Sequence, residues 1–181
     1  FSSQAMRRIV AHRRIAATRR AGRGDGQGDG QAPPDSPTCR SAARAAGLAE
    51  DAEMTRIALV GAGLIGREHA ALIAAHRRAE LVGVCDPSPE AAAWGARLGV
   101  AVDADLERLL DATRPDGVIV AAPNHLHLPL ALACIARGLP CLIEKPVADT
   151  VAAGLKIAAS SERAGVPVLV GHQRRHSPDL R

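Results

Sequence analysis

The sequence predicts an α/β domain built on a doubly wound parallel sheet, preceded by a disordered tail. From residue 55 onward, short apolar runs alternate with stretches of helical periodicity, which is typical of successive β-α-β units. Most of these runs are apolar at consecutive positions, as strands covered by helices on both faces should be. A glycine-rich turn joins the first run to the first helix. The chain has 181 residues, which is enough for one domain with a sizeable core.

The apolar runs predict six strands, with a helix between each pair of successive strands. A chain of right-handed β-α-β units closes one doubly wound sheet, so residues 54–172 are predicted to form one domain. Residues 173–181 are predicted to begin a linker. The third strand has the weakest pattern because its apolar run is short. The predicted strands cover residues 56–60, 81–85, 100–102, 117–122, 141–143 and 167–170.

Residues that start and stop helices support this assignment. Ser88 stands before a proline, which is typical of an N-cap followed by the first helical position. Gly99 is placed to end that helix. Asp149 and Thr150 can cap the last helix, and Gly165 is placed to end it, with a proline just beyond.

Charge and composition separate the tail from the domain. Residues 1–53 are rich in glycine, proline and polar side chains, so they cannot bury enough apolar surface to offset the entropy of ordering. Residues 1–24 hold seven arginines and no acid, whereas residues 25–181 hold 16 basic and 19 acidic side chains, a net charge of −3. The domain therefore lacks the basic surface of a nucleic-acid-binding protein. Phe1 and Trp94 are the only Phe, Tyr or Trp residues of the whole chain, too few for base stacking.

The chain is predicted to be cytoplasmic and not inserted in a membrane. Its four cysteines form no Cys-x-x-Cys pair, which argues against a disulfide scaffold. No apolar run approaches the roughly eighteen residues of a membrane-spanning helix. The arginine-rich start is also typical of a mitochondrial transit peptide, which is the alternative location. Because the chain begins with Phe1, we expect Met54, just before the first strand, to be the natural start.

The strongest local motif is the turn Gly61-Ala62-Gly63-Leu64-Ile65-Gly66, between a predicted strand and a predicted helix. Gly61 permits the tight turn, Gly63 allows the backbone to approach a pyrophosphate, and Gly66 allows close helix–strand packing. Leu64 and Ile65 begin the helix, whose unpaired N–H groups and positive dipole end attract phosphate. The alternative is a plain glycine-rich turn, but the position between strand and helix favours dinucleotide binding.

Asp86 ends the second predicted strand, twenty residues after Gly66. A carboxylate at this position accepts hydrogen bonds from the adenosine ribose and repels a 2′-phosphate, which favours NAD over NADP. The simpler explanation is a turn residue before Pro87. Dual cofactor specificity is the other alternative.

Two further polar segments follow predicted strands: residues 122–127, with the sequence Ala-Pro-Asn-His-Leu-His, and residues 144–146, with the sequence Glu-Lys-Pro. An open α/β sheet binds ligands beside the ends of such strands. Lys145 is suited to proton transfer or substrate binding, and Glu144 can hold it by charge. The alternative is a surface ion pair together with a helix-capping Asn124. The residue pattern leaves both interpretations open.

The histidines do not predict a metal site. His125, His127, His172 and His176 form no ligand pair on a predicted helix, so no metal is expected. His69, on the first predicted helix, is interpreted as a solvated side chain. Methyltransferases also have a glycine-rich loop and an acid after the second strand, but the third glycine and the Glu-Lys-Pro segment argue against that class.

These motifs, in their order along the chain, resemble the N-terminal half of the Gfo/Idh/MocA oxidoreductases, relatives of glucose-fructose oxidoreductase and inositol dehydrogenase. The closing segment 171–178, Gly-His-Gln-Arg-Arg-His-Ser-Pro, is part of the resemblance, which covers residues 54–181. It implies a Rossmann domain that binds NAD, with NADP as the alternative. It also implies hydride transfer between the nicotinamide and the CH–OH group of a sugar, cyclitol or sugar acid.

The resemblance also implies roles for individual residues. Lys145 would hydrogen-bond the reacting hydroxyl and assist its deprotonation, which makes it both the catalytic residue and a substrate ligand. The Lys145-Pro146 peptide bond is expected to be cis. Arg175 would bind substrate at the mouth of the cleft. The implied cofactor-binding residues are Gly61, Gly63, Leu64, Ile65, Gly66, Asp86, Pro123, Asn124, His127 and Glu144.

Proteins of this family continue into a second α/β domain, which carries an Asp-x-x-x-His pattern with the principal acid–base histidine. The chain ends at Arg181, where that domain would begin. We therefore expect the chain to bind cofactor without turning over substrate, and the full-length form to be a homo-oligomer. The alternative function is a stand-alone nucleotide-binding module without catalysis.

Overall fold

A computed structural model describes residues 54–172. The tail predicted to be disordered, the predicted linker and Arg175 lie outside these residues.

Within residues 54–172 the chain forms six strands at the predicted places. The largest differences are of two residues each: the second strand begins at Ala79 rather than at residue 81, and the fourth strand ends at Val120 rather than at residue 122. Two alanines extend the apolar run beyond the strand, so composition alone places the end too late. The strands are β1 (Thr55–Val60), β2 (Ala79–Cys85), β3 (Ala101–Asp103), β4 (Gly117–Val120), β5 (Cys141–Ile143) and β6 (Val168–Val170).

The six strands form one sheet in the order β3-β2-β1-β4-β5-β6. Every neighbouring pair is parallel. The chain moves outward from β1 through β2 to β3, then returns to the other side of β1 and continues through β4 to β6. This reversal confirms the predicted doubly wound sheet, and it creates a crevice at the carboxyl ends of β1 and β4.

Five α-helices connect the strands within the described residues. Two of their N-termini are capped as predicted: the Ser88 hydroxyl accepts from the Ala91 N–H, and the Thr150 hydroxyl accepts from the Ala153 N–H. Two of the helices end at glycines with positive φ, Gly99 and Gly165. The helices are α1 (Leu64–Ala74), α2 (Pro89–Leu98), α3 (Leu106–Thr113), α4 (His127–Ala136) and α5 (Val151–Ala164).

The core has two layers, one on each face of the sheet. In β1, Ile57 packs in the layer that includes α1 and α2, and the next residue, Ala58, packs in the layer that includes α3, α4 and α5. Both side chains are fully buried. Burial on both faces explains why the strands are apolar at consecutive positions. None of the helices between residues 54 and 172 has the length and apolar character needed to cross a membrane.

Candidate functional site

The predicted site residues meet along the carboxyl edge of the sheet. Backbone hydrogen bonds continue past the strand ends, from Gly61 to the Cys85 carbonyl (2.9 Å) and from Glu144 to the Val120 carbonyl (2.9 Å). These bonds hold the polar segments that follow neighbouring strands side by side. In order across the sheet, the segments are 86–88, 61–66, 121–127, 144–147 and 171–172.

The three glycines of the first turn are constrained differently. Gly61 has φ of +95°, and a Cβ there would lie 2.6 Å from the Ala121 carbonyl oxygen. A Cβ on Gly66 would overlap the Gly61 carbonyl oxygen. A Cβ on Gly63 would meet no protein atom within 4 Å. The fold itself therefore requires glycine at 61 and 66, whereas position 63 borders open space.

This open space lies at the N-terminus of α1. The cap residue, Gly63, is extended and offers no side-chain acceptor, and the first helical hydrogen bond runs from the Arg67 N–H to the Gly63 carbonyl (3.0 Å). The amides of Leu64 and Ile65 thus have no intrahelical acceptor, and both side chains are exposed. A helix start of this kind suits a pyrophosphate group.

Asp86 lies beside the glycine turn and is tied to it. Its Oδ2 accepts from the Ala62 N–H (2.7 Å), and its Oδ1 accepts from the Ser88 N–H (2.9 Å) and hydroxyl (2.6 Å). Burial by itself would raise the pKa of Asp86, but these hydrogen bonds and the charge of Arg67 hold the pKa below its usual value. A carboxylate has about four acceptor sites, so this charged group retains capacity for a hydroxyl donor.

A contact between α1 and α2 at this end of the site was not predicted from the sequence. The Arg67 side chain donates to the Ala62 carbonyl (2.9 Å) and lies over the Trp94 ring, 5.2 Å from its centroid. Trp94 is the only tryptophan of the chain, and an arginine in the first turn of α1 was the available signal. The pair fixes the guanidinium where its charge favours ionised Asp86.

After β4, the predicted cofactor-binding residues separate into exposed and buried groups. Pro123 and Asn124 are exposed, and Asn124 begins a short 3-10 turn. His127 is buried, with its Nδ1 2.9 Å from the Pro146 carbonyl oxygen and its Nε2 2.8 Å from the Ala122 carbonyl oxygen. A neutral ring donates to one of these oxygens, and an imidazolium donates to both.

The interpretation of His69 as a solvated side chain is wrong. The residue is 2% exposed, and its Nε2 lies 2.9 Å from Oε1 of Glu144, which is itself buried. Burial lowers the pKa of His69, against the opposing hydrogen bond and charge of Glu144. The available signal was periodicity, because His69 shares one face of α1 with the buried residues Gly66 and Ile73.

Lys145 is exposed at the edge of the sheet, directly after buried Glu144. Its backbone N–H donates to Oε2 of Glu144 (3.3 Å), and its peptide bond to Pro146 is cis, as the resemblance implied. The Glu144 carboxylate is thus directed inward, while the lysine side chain is accessible. Within residues 54–172, no group of three or more potential ligands could hold a metal ion.

An open parallel sheet with this glycine turn and an acid after the second strand defines a dinucleotide-binding domain. The family model GFO_IDH_MocA, described as an oxidoreductase family with an NAD-binding Rossmann fold, matches residues 55–172. The chain therefore belongs to the Gfo/Idh/MocA family. This result confirms the family recognised from the sequence, the Rossmann fold and NAD as the cofactor of the domain.

Curated and solved relatives agree with the family assignment. Inositol 2-dehydrogenase 4 of Saccharopolyspora erythraea is 40% identical over 130 residues, which are 68% of this chain and 38% of the relative. The WlbA dehydrogenase of Bordetella pertussis, solved with NADH and UDP-GlcNAcA, is 34% identical with a TM-score of 0.67, covering 71% of this chain and 40% of that one. GenD2 from gentamicin A biosynthesis, solved with NAD, is 30% identical with a TM-score of 0.66, covering 70% and 36%. The chain thus spans roughly two fifths of these relatives.

Proposed function

We propose that this protein is the cofactor-binding part of an NAD-dependent oxidoreductase that acts on the CH–OH group of a sugar, cyclitol or sugar acid. Its family is one of oxidoreductases, and the relatives include an inositol 2-dehydrogenase and a dehydrogenase solved with a nucleotide sugar. The observation that carries the proposal is the fixed Asp86 carboxylate beside the open N-terminus of α1.

In this proposal, the segments that follow β1 and β2 bind the adenosine and pyrophosphate. The amides at the start of α1 bind the pyrophosphate, which approaches the backbone over Gly63. Asp86 accepts from the ribose hydroxyls through its remaining acceptor capacity. Because Asp86 is charged, it repels the 2′-phosphate that distinguishes NADP, so NAD is the preferred cofactor.

The segments that follow β4 and β5 border the nicotinamide and the substrate in this proposal. Pro123, Asn124 and Glu144 lie along the nicotinamide side, with His127 beneath them. The bound cofactor supplies the acceptor for hydride. Lys145, exposed at the end of β5, hydrogen-bonds the reacting hydroxyl and assists its deprotonation. Arg175, which lies outside the described residues, is proposed to bind the substrate.

Cofactor binding is tested by titrating the chain with NADH, NADPH and ADP-ribose. Trp94 fluorescence reports binding at this site, because the Trp94 ring on α2 lies under Arg67, whose side chain bonds the Ala62 carbonyl of the glycine turn. Trp94 is also the only tryptophan of the chain. We expect saturable quenching by NADH, competition by ADP-ribose and weaker binding of NADPH. A folded sample that binds neither reduced cofactor would contradict the proposal.

Catalysis is tested separately, with a panel of inositols, hexoses and uronic acids. We expect the chain alone to bind NADH without reducing NAD, and a fusion to the second domain of its Saccharopolyspora relative to produce NADH from a member of the panel. Lys145→Ala in that fusion should abolish turnover without changing NADH affinity. Cofactor binding without turnover in an intact, folded fusion would favour a non-catalytic nucleotide-binding module.

A further inference from the structure

Two buried histidines contact the Glu144-Lys145-Pro146 segment from helices on opposite faces of the sheet. His69 belongs to α1, in the layer shared with α2, and His127 begins α4, in the other layer. They are 2% and 1% exposed. Lys145 and Pro146 are exposed, so the segment presents its lysine to solvent between two internal hydrogen-bonded contacts.

The first contact fixes the backbone before the lysine. His69 bonds one oxygen of the Glu144 carboxylate, and the other oxygen accepts from the Lys145 N–H. This carboxylate therefore joins α1 to the peptide group from which the lysine side chain departs. Its second boundary is Gly171 at the end of β6, where a Cβ would lie 2.7 Å from Oε1 of Glu144. The carboxylate is thus confined between helix and backbone.

The second contact fixes the backbone after the lysine. The two ring nitrogens of His127 face the carbonyl oxygens of Pro146 and Ala122, so the ring links the segment to the end of β4. Each nitrogen thus faces a carbonyl oxygen, and the residue as a whole is 1% exposed. His127 is therefore placed to hold backbone rather than to exchange protons with a substrate.

We propose that His69 and His127 are positioning residues that together set the direction in which Lys145 leaves the sheet. This inference rests on the proposed function, since it assigns a task to the residues beneath the proposed catalytic lysine. It adds a connection: α1 begins at the proposed pyrophosphate site and carries His69 in its second turn. Through the Glu144 carboxylate, α1 thus connects the proposed pyrophosphate site with the backbone of Lys145.

The sequence makes this inference testable, because Lys145 and Lys156 are the only lysines of the chain. Reductive methylation with ¹³C-formaldehyde labels both amines and the N-terminus, and Lys156→Arg assigns the spectrum. Lys156, exposed on α5, serves as an internal control. We compare its signal with that of Lys145 before and after addition of NADH or of ADP-ribose, which lacks the nicotinamide.

In the wild-type chain, we expect NADH to shift the Lys145 signal and ADP-ribose to leave it nearly unchanged. His69→Leu removes the donor to Glu144, so the unliganded Lys145 signal should move and its response to NADH should fall at least twofold. His127→Leu should act in the same direction. His69→Gln keeps an N–H donor and should restore the wild-type response. The Lys156 signal and the ADP-ribose affinity should stay the same throughout.

Gly171→Ala gives an independent test should the leucine variants fail to fold, because it displaces the Glu144 carboxylate without changing either histidine. We expect the same change in the Lys145 signal. The inference is overturned if a folded His69→Leu or Gly171→Ala chain keeps the wild-type Lys145 signal and response, or if His69→Gln behaves like His69→Leu. A wild-type chain that does not bind NADH would contradict the proposed function alone, since the unliganded Lys145 signals still test the positioning.

Discussion

The two halves of the sheet edge build their parts of the site in different ways. Around β1 and β2, the site consists of backbone and one carboxylate: an uncapped helix start, glycines without side chains, and Asp86 bonded to Ala62 and Ser88. Around β4 and β5, it consists of buried side chains that reach across the fold. The bond between His69 and Glu144 spans 75 residues of sequence, whereas that between Asp86 and Ala62 spans 24.

This difference shows how each half depends on the rest of the domain. The first half is assembled by a single β-α-β unit, so its geometry follows from a short stretch of chain. The second half has its polar groups in place only after α1, α4 and β6 have packed around β5. Substitutions in the first half should therefore separate folding from binding, and those of buried side chains in the second half should change both the stability of the fold and the surroundings of Lys145.

The largest effect is expected at the glycine turn. Gly66→Ala forces a Cβ onto the Gly61 carbonyl, and we expect it to lower the free energy of unfolding by about 3 kcal/mol, measured by urea denaturation followed by circular dichroism. Gly63→Ala is the matched control, because its φ of −69° suits alanine and its Cβ meets no atom within 4 Å. We expect its stability to stay within about 0.5 kcal/mol of wild type.

The Gly63→Ala variant also tests whether this glycine is needed by the ligand. Gly63→Ala should weaken NADH binding at least tenfold, roughly 1.4 kcal/mol, because its methyl group occupies the proposed pyrophosphate site. Equal losses of stability in the two alanine variants would contradict the distinction between a glycine needed by the fold and one needed by the ligand.

Next in size is the effect of the Asp86 charge. Asp86→Asn should weaken NADH binding about tenfold or more, because a hydrogen bond to a charged group contributes about 1.5–3 kcal/mol. NADPH binding should weaken less or improve, since the charge that repels the 2′-phosphate is gone. Asp103→Asn is the control, because Asp103 is the last residue of the neighbouring strand β3 and its carboxylate pairs with Arg108. It should leave both affinities unchanged within twofold.

In the second half, the pH dependence of stability should reveal His69. Because burial lowers its pKa in the folded state, the unfolded chain binds the proton first as the pH falls. The free energy of unfolding should therefore be fully maintained above about pH 6.5 and decrease below it, by at most about 1.4 kcal/mol per pH unit. His69→Gln lacks this titration, so its stability should vary less over the same range. Parallel pH profiles of the two chains would show that His69 does not titrate in this way.

The smallest effect is expected where α1 meets α2. Arg67→Gln removes the cation from the Trp94 ring together with the hydrogen bond to the Ala62 carbonyl. We expect it to lower thermal stability by about 1 kcal/mol, because cation–π pairs contribute about 0.5–1 kcal/mol at exposed sites. Arg97→Gln, on the exposed surface of α2, should change thermal stability by less than about 0.5 kcal/mol. A loss of stability equal in both variants would remove the ring contact as an explanation.

The sequence predicted most of the fold because its signals are local. The caps at Ser88 and Thr150 and the stops at Gly99 and Gly165 were read from neighbouring residues and are confirmed. The strand ends were less exact, as after Val120, because alanine is compatible with both the strand and the loop that follows it.

The site was predicted less completely than the fold, because some of its contacts are local in sequence and others are not. Gly61 and Asp86 belong to a motif of fixed spacing, so the sequence placed them together. His69 was misjudged, because its environment depends on a residue 75 positions away that reaches it only when β5 joins the sheet. The roles assigned to His127 and Glu144 stay predictions, although their hydrogen bonds are now defined.

The sequence by itself determined the alternation of strands and helices, the dinucleotide turn and the acid after the second strand, since each depends on contacts within a few residues or within one β-α-β unit. The tertiary structure decided that the first helix also bonds the segment that carries Lys145. That contact depends on the reversal of strand order beside β1, which brings distant segments to one edge of the sheet. Local sequence propensities do not predict the contact between His69 and Glu144, because the two residues are neighbours only in the folded chain.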